Sequence, residues 1–426
     1  MPKRVFSIFL SLFFFFNINL LYAKEQLYIE PLIREAKEKN PEIMAAFKRY
    51  EAAKARIPLA KSLDDPILSF GFQRTKGSPF QLNNTPTDER MLSFSQFLPF
   101  FGKLSLKGKI SLVESQIFAS EYKAKELEVI NDLKNAYYDL FMNYKEIELN
   151  RESLILLEGI AKVAESKFTV GEASQEEVYK LHLEVARLNT NIANLEQEKK
   201  SKETLINTLL NRDPESPLGI PVLEEQESFN IDIKSLYMST LLNQPELLTF
   251  SYAIERNKYA KSLSQRSFFP DLMAQITERG FSTGTIGPWD LMLAFTLPLW
   301  FWTKQRYQVK EAIANLEEAK GTYQAMQNKA FAEVKDLAIK IETAKNKIRL
   351  NKNELLPILE SSIEVSLAAF RTGKGDFMSL LDNQRMLIET KINYYKSLVD
   401  YNINLADLER TVGTDLTKNQ EVKDEQ

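Results

Sequence analysis

The sequence predicts a mainly α-helical protein with a small β part, built as a tandem duplication. Three observations predict this class. Motifs recur in the same order about 200 residues apart, long stretches carry a 3.5-residue apolar period, and four short segments alternate apolar and polar residues. With only 14 glycines and 16 prolines in 426 residues, most of the chain is expected to be regular structure. The helices are expected to be coiled coils, and the alternating segments are expected to be transmembrane β-strands.

The first 23 residues differ from the rest of the chain and predict a cleaved secretory signal peptide. Lys3 and Arg4 precede an apolar run over residues 5–21, and Ala23 provides the small residue that a signal peptidase requires. The alternative is an uncleaved membrane anchor, because a run of about 17 apolar residues is near the lower limit for a span. The signal peptide predicts an exported protein. Because the chain contains no cysteine, we expect neither lipid attachment nor disulfides.

Internal repeats define the domain organisation. Asn40-Pro41-Glu42 recurs as Gln244-Pro245-Glu246, "FLPFFGK" recurs as "LPLWFWTK", and "KFTVGEASQ" recurs as "AFRTGKGDF". The sequence predicts a first repeat at 24–211, a linker or equatorial segment at 212–231, a second repeat at 232–413 and a polar tail at 414–426. Each repeat is expected to contain a helix, a β-hairpin (66–98 or 270–298), a long helix, a turn and a final helix.

The helical segments follow the period of coiled coils. Apolar residues step by three and four along 130–147, 178–195 and 312–330, which is the spacing of a coiled-coil seam. The first helix of each repeat is predicted to be continuous over 30–62 and 232–268, with the Asn-Pro-Glu and Gln-Pro-Glu motifs inside it. The second helix of each repeat is predicted to be unbroken and nearly 70 residues long. Gly171 and Gly373, followed by Gly375, are expected to allow the reversals.

The alternating segments are 67–74, 91–98, 272–278 and 289–297. On alternation alone, a sheet with one apolar face in a soluble domain is the favoured interpretation, since the signal of each barrel strand is weak. Everything else in the chain predicts long helices, however, so no second layer covers such a sheet. Four strands cannot close a barrel, and open sheet edges are not tolerated in lipid. The consistent solution is that several subunits each contribute four strands to one barrel.

Both hairpins end in the same way. Pro99 and Pro298 are predicted to end a strand and begin the junction with a long helix, since proline donates no hydrogen bond and its φ suits a helix start. Aromatic residues flank these prolines and strands, and we predict that they mark the membrane interfaces. Ordinary packing at a strand-to-helix corner is the alternative. The residues are Phe100, Phe101, Trp289, Trp300 and Trp302.

Charge and chemistry give little support to other classes. Lys and Arg number 55 against 58 Asp and Glu, so no nucleic-acid partner is expected. His182 is the only histidine, and its position beside a coiled-coil seam favours a helix-surface residue over a catalytic base or ligand. Phosphate loops, nucleophile elbows and zinc-ligand spacings are absent from the sequence. The sequence therefore predicts neither an enzyme nor a cofactor or metal site.

These features together resemble the outer-membrane efflux protein (TolC-like) family. The resemblance rests on the duplication, on Asn40-Pro41-Glu42, on Leu98-Pro99 and Leu297-Pro298, and on "SLLDNQRML" at 379–387. The last is similar to the family's Leu-Leu-Asp-Ala-Gln-Arg stretch, with Asn383 in place of alanine. "SLDDPILSFGFQ" at 62–73 is similar to the heavy-metal efflux branch, a weaker match.

The resemblance implies a homotrimer with a 12-stranded barrel in outer-membrane lipid, continued by a periplasmic α-helical barrel. It further implies a channel of a tripartite efflux system, with a periplasmic adaptor protein and an inner-membrane pump such as an RND transporter as partners. Small molecules or metal ions are the expected substrates. The alternatives are the same fold serving type I protein secretion and, from a different class, a coiled-coil envelope scaffold anchored by its N-terminal helix.

Candidate functional residues follow from the two predicted helix reversals. By resemblance, Asp382 lies inside the second tip, where three copies would form an acidic ring that favours cations. The alternative is that Asp382 is a carboxylate in the N-terminal turn of a helix or a solvated helix residue. Asp376 and Glu177 complete the candidate gate, although Asp376 also fits a helix cap and Glu177 a solvated face. Exposed glycines at the tips are expected to accept an adaptor hairpin, namely Gly171, Gly373 and Gly375.

Overall fold

The computed structural model describes residues 26–74, 88–223, 232–280, 287–372, 374–375 and 377–416. The predicted signal peptide, Gly373 and Asp376 lie outside these residues. So do most of the polar tail and part of the predicted linker.

The chain consists of two similar runs of elements. The first is β1 (Gln26–Leu27), α1 (Ile29–Lys39), α2 (Pro41–Lys61), β2 (Ile67–Arg74), β3 (Asp88–Leu98), α3 (Lys103–Thr169), α4 (Gln175–Leu209) and β4 (Ile220–Pro221). The second is α5 (Ile233–Asn243), α6 (Pro245–Arg266), β5 (Leu272–Arg279), β6 (Trp289–Phe295), α7 (Gln305–Leu350), a π-helix (Asn351–Leu355), α8 (Leu356–Arg371) and α9 (Phe377–Val412). The predicted class, a mainly α duplicated chain with a small β part, is confirmed.

The first helix of each repeat is divided, so the prediction of one continuous helix was wrong. Asn40 is extended, with φ −66° and ψ 125°, and its Oδ1 accepts the N–H groups of Glu42 at 2.9 Å and Ile43 at 3.2 Å. Gln244 is also extended at the equivalent position. A residue before proline avoids the helical region, whereas proline itself suits the first helical position. Asn40-Pro41-Glu42 is therefore a helix cap.

The second long helix is also interrupted, unlike its 67-residue counterpart α3. A five-residue π-helix, Asn351–Leu355, separates α7 from α8 immediately before Pro357. Proline has no N–H and its ring clashes with the carbonyl four residues earlier, so the helix cannot pass it with regular α geometry. A local π segment is a common way to accommodate such a break. The prediction of an unbroken helix holds for α3 only.

The four longer strands form one antiparallel sheet in the order β2-β3-β5-β6. The register places Leu68 opposite Phe94, Phe94 opposite Ile276, and Ile276 opposite Leu291. The predicted apolar sides of the four strands therefore share one face. These four side chains are between 47% and 58% exposed, so the described part of the chain does not cover this face.

The opposite face of the sheet is mostly polar, although Ile67, Met91, Phe97, Met273 and Met292 also lie on it. Ser69, Ser93, Thr277 and Asp290 lie side by side in register, and the hydroxyl oxygens of Ser93 and Thr277 are 3.0 Å apart. Within the described residues, β2 and β6 each pair with one neighbour and leave the other edge free. A single chain thus provides an open sheet with one apolar and one mostly polar face.

The helices pack lengthwise around α3, which contacts α2, α4, α6 and α9. Near the middle of α3, the hydroxyl of Tyr137 lies 2.6 Å from the carbonyl oxygens of Leu27 and Val222 and accepts the N–H of Val222 at 2.9 Å. These residues belong to and flank the small parallel pair of β1 and β4. One side chain therefore fastens the short sheet to the helical body.

The junction between sheet and helices is held by Asp271, just before β5. Its Oδ1 accepts the N–H of Phe100 at 2.7 Å and the ammonium of Lys103 at 2.8 Å. Arg266 also donates to the carbonyl of Phe101 from the other repeat. Gly102 between them has φ +83°, which favours glycine. The two repeats are thus locked together where the strands end.

We predict that Asp271→Asn destabilises the protein, because the half-buried ammonium of Lys103 would lose its carboxylate. The expected loss is about 1.5–3 kcal/mol in the free energy of unfolding, the range for hydrogen bonds to charged groups. Thermal unfolding followed by circular dichroism measures it. The matched control is Asp290→Asn, whose exposed pair with Arg279 is expected to contribute less than about 1 kcal/mol. Equal midpoints for the two variants would contradict the assignment.

Candidate functional site

The two helix reversals lie at the same end of the molecule. A buried apolar cluster joins them, in which α3 and α4 pack against α8 and α9. Phe370 and Phe377 pack with their ring centroids 6.2 Å apart, and the ammonium of Lys167 donates to the carbonyl of Phe370 at 2.6 Å. The cluster fixes the first reversal against the second. Its remaining members are Leu157, Ile160, Ala161, Ala164, Leu181, Leu380 and Leu381.

The glycines of the two reversals differ in their surroundings. Gly171 has φ +79°, and an added Cβ would meet no heavy atom within 4 Å. Its neighbour Glu172 donates its N–H to the carbonyl of Lys167 at 2.9 Å, which closes the end of α3. Gly375 instead lies tight against its own turn, since an added Cβ would be 2.8 Å from the Cβ of Ala369. Gly171 faces open space, whereas Gly375 is required for packing.

Asp382 lies on α9, close to the second reversal. Its side chain is 61% exposed, and its Oδ1 is 3.7 Å from Nη1 of Arg385. Because α9 begins at Phe377, Asp382 is past the first helical turn and does not serve as a cap.

Arg385 links the two repeats across the tip. Its Nε and Nη2 donate to the two carboxylate oxygens of Glu184 at 3.2 Å and 2.8 Å, in the bidentate geometry that gives strong pairs. The hydrogen bond to Glu184 raises the pKa of the guanidinium above its ordinary value. Sequence reasoning missed this pair. The two residues lie 201 residues apart on different helices, so no local pattern indicates the pair.

Glu177 is engaged in a local structural role. Its N–H donates to the Ser174 hydroxyl at 3.2 Å, and its carboxylate accepts the N–H of Ser174 at 3.3 Å. This reciprocal pair is a capping box at the start of α4. Capping of α4 therefore accounts for the position of the Glu177 carboxylate. Asp376, the remaining gate candidate, lies outside the described residues.

The predicted interface aromatics fall at two ends of the sheet. Trp289 begins β6, whereas Trp300 and Trp302 follow its other end and Pro298. Phe101, after Pro99, is 87% exposed. Phe100 instead stacks on Phe269 at 4.6 Å, which is the corner packing that the alternative interpretation describes. Four of the five aromatics are therefore exposed at the ends of the strands.

Two other polar candidates, His182 and Glu409, are each engaged in an ion pair. His182 is exposed and pairs with Glu165 at 2.9 Å. Glu409 is almost fully buried against Lys134, and burial raises the pKa of its carboxyl despite that partner. Nowhere in the described ranges do three or more His, Asp or Glu side chains gather as a metal site. None of the described helices is long and apolar enough to cross a membrane.

A groove of about 1150 Å³ lies beside the middle of α3, between α9 and the 220–223 segment. Tyr144, Tyr394 and Tyr395 line it together with several charged side chains. Tyr144 donates to Glu203 at 3.1 Å, and burial raises the pKa of its hydroxyl. The groove is open to solvent and lies far from the tip, so we assign it no role in gating.

Comparisons with known proteins agree with this architecture. A family model described as outer membrane efflux protein matches residues 32–212 and 236–414. The chain is 22% identical over 410 residues to outer membrane protein OprJ of Pseudomonas aeruginosa, which covers 90% of this chain and 83% of OprJ. A Haemophilus influenzae protein is 21% identical over 213 residues, which is about half of each chain (48% and 47%).

The fold is also similar to that of a solved channel. The Campylobacter jejuni CmeC outer membrane channel superposes with a TM-score of 0.78 at 17% identity, over 93% of this chain and 89% of CmeC. Because the family model covers most of both repeats, the chain belongs to the outer membrane efflux protein family.

Proposed function

We propose that three copies of this chain form a 12-stranded barrel in the outer membrane, continued by a helical tube through the periplasm. The observation that carries the proposal is the sheet, with its uncovered apolar face, mostly polar opposite face and two free edges. Lipid can cover the apolar face, and pairing β2 of one copy with β6 of the next would remove every edge. The polar face would then line a water-filled pore.

The helical part is proposed to be the periplasmic duct. At 1.5 Å per residue, the 67 residues of α3 extend for about 100 Å. Apolar side chains remain exposed along the helices of a single copy, for example Ile155, Ile358 and Val365. Neighbouring copies would cover such side chains in a closed tube. A coiled-coil envelope scaffold is the weaker candidate, because it has no use for the sheet.

The tip is proposed to be the entrance. The exposed carboxylate of Asp382 would form an acidic ring from three copies and favour cations. The Arg385–Glu184 pair would hold the second helical hairpin against the first and keep the entrance narrow. Glu177 is retained as a weaker gate candidate because the capping box already occupies its carboxylate.

The partners are proposed to be a periplasmic adaptor protein and an inner-membrane pump such as an RND transporter. Near the open position at Gly171, the first reversal and the start of α4 carry three exposed apolar side chains, Val170, Tyr179 and Leu183. Such side chains suit the docking of an adaptor hairpin. Small molecules or metal ions are the proposed substrates, and protein secretion through the same duct is the alternative.

Asp382→Asn is expected to lower the cation preference of single channels, because the ring would lose three charges. Reversal potentials in planar bilayers across a KCl gradient measure the preference, and the value should move toward zero. Glu176→Gln is the matched control, because this exposed carboxylate at the first reversal pairs with Lys180 at 2.7 Å, and it should leave the preference unchanged. If the Asp382 variant assembles normally and its selectivity is unaltered, Asp382 is a solvated helix residue and not part of an acidic ring.

Glu184→Gln is expected to increase single-channel conductance several-fold, since only one neutral acceptor would remain to hold Arg385 across the tip. Glu196→Gln is the matched control. It removes a pair with Arg151 at 2.7 Å that also joins two helices but stays within the first hairpin. Conductance recorded at fixed voltage decides the matter, and equal values for both variants would argue against a gating pair.

Deletion of the gene is expected to sensitise cells to small molecules or metal ions while protein secretion continues. Growth against a panel of drugs and metals, with secreted protein measured in parallel, provides the test. The fractionated wild-type protein should be found in the outer membrane. A defect confined to protein export would reverse the substrate assignment. Recovery in the inner membrane with residues 1–23 retained would contradict the proposed duct and favour the envelope scaffold.

A further inference from the structure

The helix ends that join the sheet carry an unusual charge pattern. The segments 54–61, 103–110, 258–266 and 304–310 each contain three cationic residues and no Asp or Glu, in a chain whose net charge is −3. We call these twelve side chains the basic belt: Lys54, Arg56, Lys61, Lys103, Lys107, Lys109, Lys258, Lys261, Arg266, Lys304, Arg306 and Lys310.

The belt lies at one level of the molecule. α2 and α6 end where β2 and β5 begin, and α3 and α7 begin after β3 and β6 end. All four segments therefore adjoin the same end of the antiparallel strands. Contacts across the helices agree, since the stem of Lys61 packs over Gly108 and the ammonium of Lys109 lies 5.4 Å from the ring centre of Tyr259. At 1.5 Å per residue, the belt is about 12 Å tall.

The chain itself neutralises little of this charge. Among the salt bridges of the described residues, the only belt member is Lys103, which pairs with Asp271. Arg266 is engaged with the carbonyl of Phe101, a neutral group. Nine of the twelve side chains are exposed. The belt therefore presents a predominantly basic surface, although the exposed carboxylates of Asp64 and Asp65 follow Lys61. Such a surface attracts anions over about 8 Å at physiological ionic strength.

Helix electrostatics accounts for only half of the belt. Cations at the ends of α2 and α6 face the negative pole of each helix, which is favourable. Cations at the starts of α3 and α7 face the positive pole, and neither first turn contains an acidic residue. This arrangement opposes folding of the isolated chain. An unfavourable charge arrangement that no group within the chain compensates indicates that the charges interact with a partner outside the chain.

The neighbours of the belt identify the kind of partner. Exposed Phe101, Trp300 and Trp302 lie between the belt and the apolar face of the sheet. Aromatic side chains mark the boundary between hydrocarbon and headgroups, and basic residues just beyond that boundary meet lipid phosphates. We infer that the basic belt binds the phosphate groups of anionic phospholipids in the leaflet that faces the periplasm. The inference rests on the proposed outer-membrane duct.

The test counts the lipids that the purified, assembled protein retains. Protein in neutral detergent micelles is mixed with equal amounts of phosphatidylglycerol and phosphatidylcholine of the same acyl chains, and native mass spectrometry counts each. The wild type should prefer phosphatidylglycerol. Replacing Lys107, Lys304, Arg306 and Lys310 by Gln spares the Asp271 and Arg266 contacts and is expected to weaken the preference roughly tenfold or more. The preference should also fall as salt rises.

A matched control variant removes four exposed cations far from the belt, with Gln at Lys162, Lys200, Lys329 and Lys335. These have no salt-bridge partner in the described part of the chain, and they should leave the preference unchanged. An equal loss in the control would reduce the effect to net charge and overturn the inference. Inorganic phosphate that displaces phosphatidylglycerol at equimolar concentration would identify a free-anion site and also overturn it.

Channel recordings in a pure phosphatidylcholine bilayer separate the belt from the duct. If the wild type forms channels but retains no more phosphatidylglycerol than phosphatidylcholine, the belt inference is refuted and the proposed function stands. A belt variant with altered ion selectivity but unchanged phosphatidylglycerol retention would place the belt in the pore and refute lipid binding. If the wild type forms no channels, the duct fails. A phosphatidylglycerol preference that depends on the four cations would still support the belt.

Discussion

The structure depends on one constraint, which is that four strands present an apolar face that nothing in the described chain covers. Side chains such as Phe70, Phe94 and Leu291 project from this face, and the two outer strands have free edges. In water this surface would aggregate, and in lipid an open edge would leave backbone groups unsatisfied. Pairing of edges between copies resolves both problems. The long helices, the junction and the tip acquire their roles from that closure.

The junction converts a wide sheet into a narrow bundle of helices. Asp271 receives the N–H of Phe100 and the ammonium of Lys103, so the first repeat ends its hairpin on a group from the second. Farther away, Arg385 and Glu184 connect the same two repeats across the tip. Cross-repeat contacts thus occur at both ends of the helical body.

Local periodicity predicted most of the fold. A two-residue period fixed which side of each strand is apolar, and Gly171 marked a reversal, because both signals are written in neighbouring residues. The breaks at Asn40 and Pro357 were missed, since the apolar pattern continues on either side of each. Asp271 was missed as well, because a tertiary contact leaves no local pattern. At the tip, Asp382 came from family resemblance, whereas the Arg385–Glu184 pair was visible only in three dimensions.

The most direct test of the central claim is the environment of the two sheet faces in a membrane. The chain has no cysteine, so single nitroxide labels can be placed at Leu293 on the apolar face and at Thr277 on the polar face. Power-saturation measurements in lipid vesicles compare access to oxygen with access to a water-soluble nickel complex. The account predicts that Leu293 is reached by oxygen and shielded from nickel, and that Thr277 shows the reverse. Nickel access at both positions would contradict it.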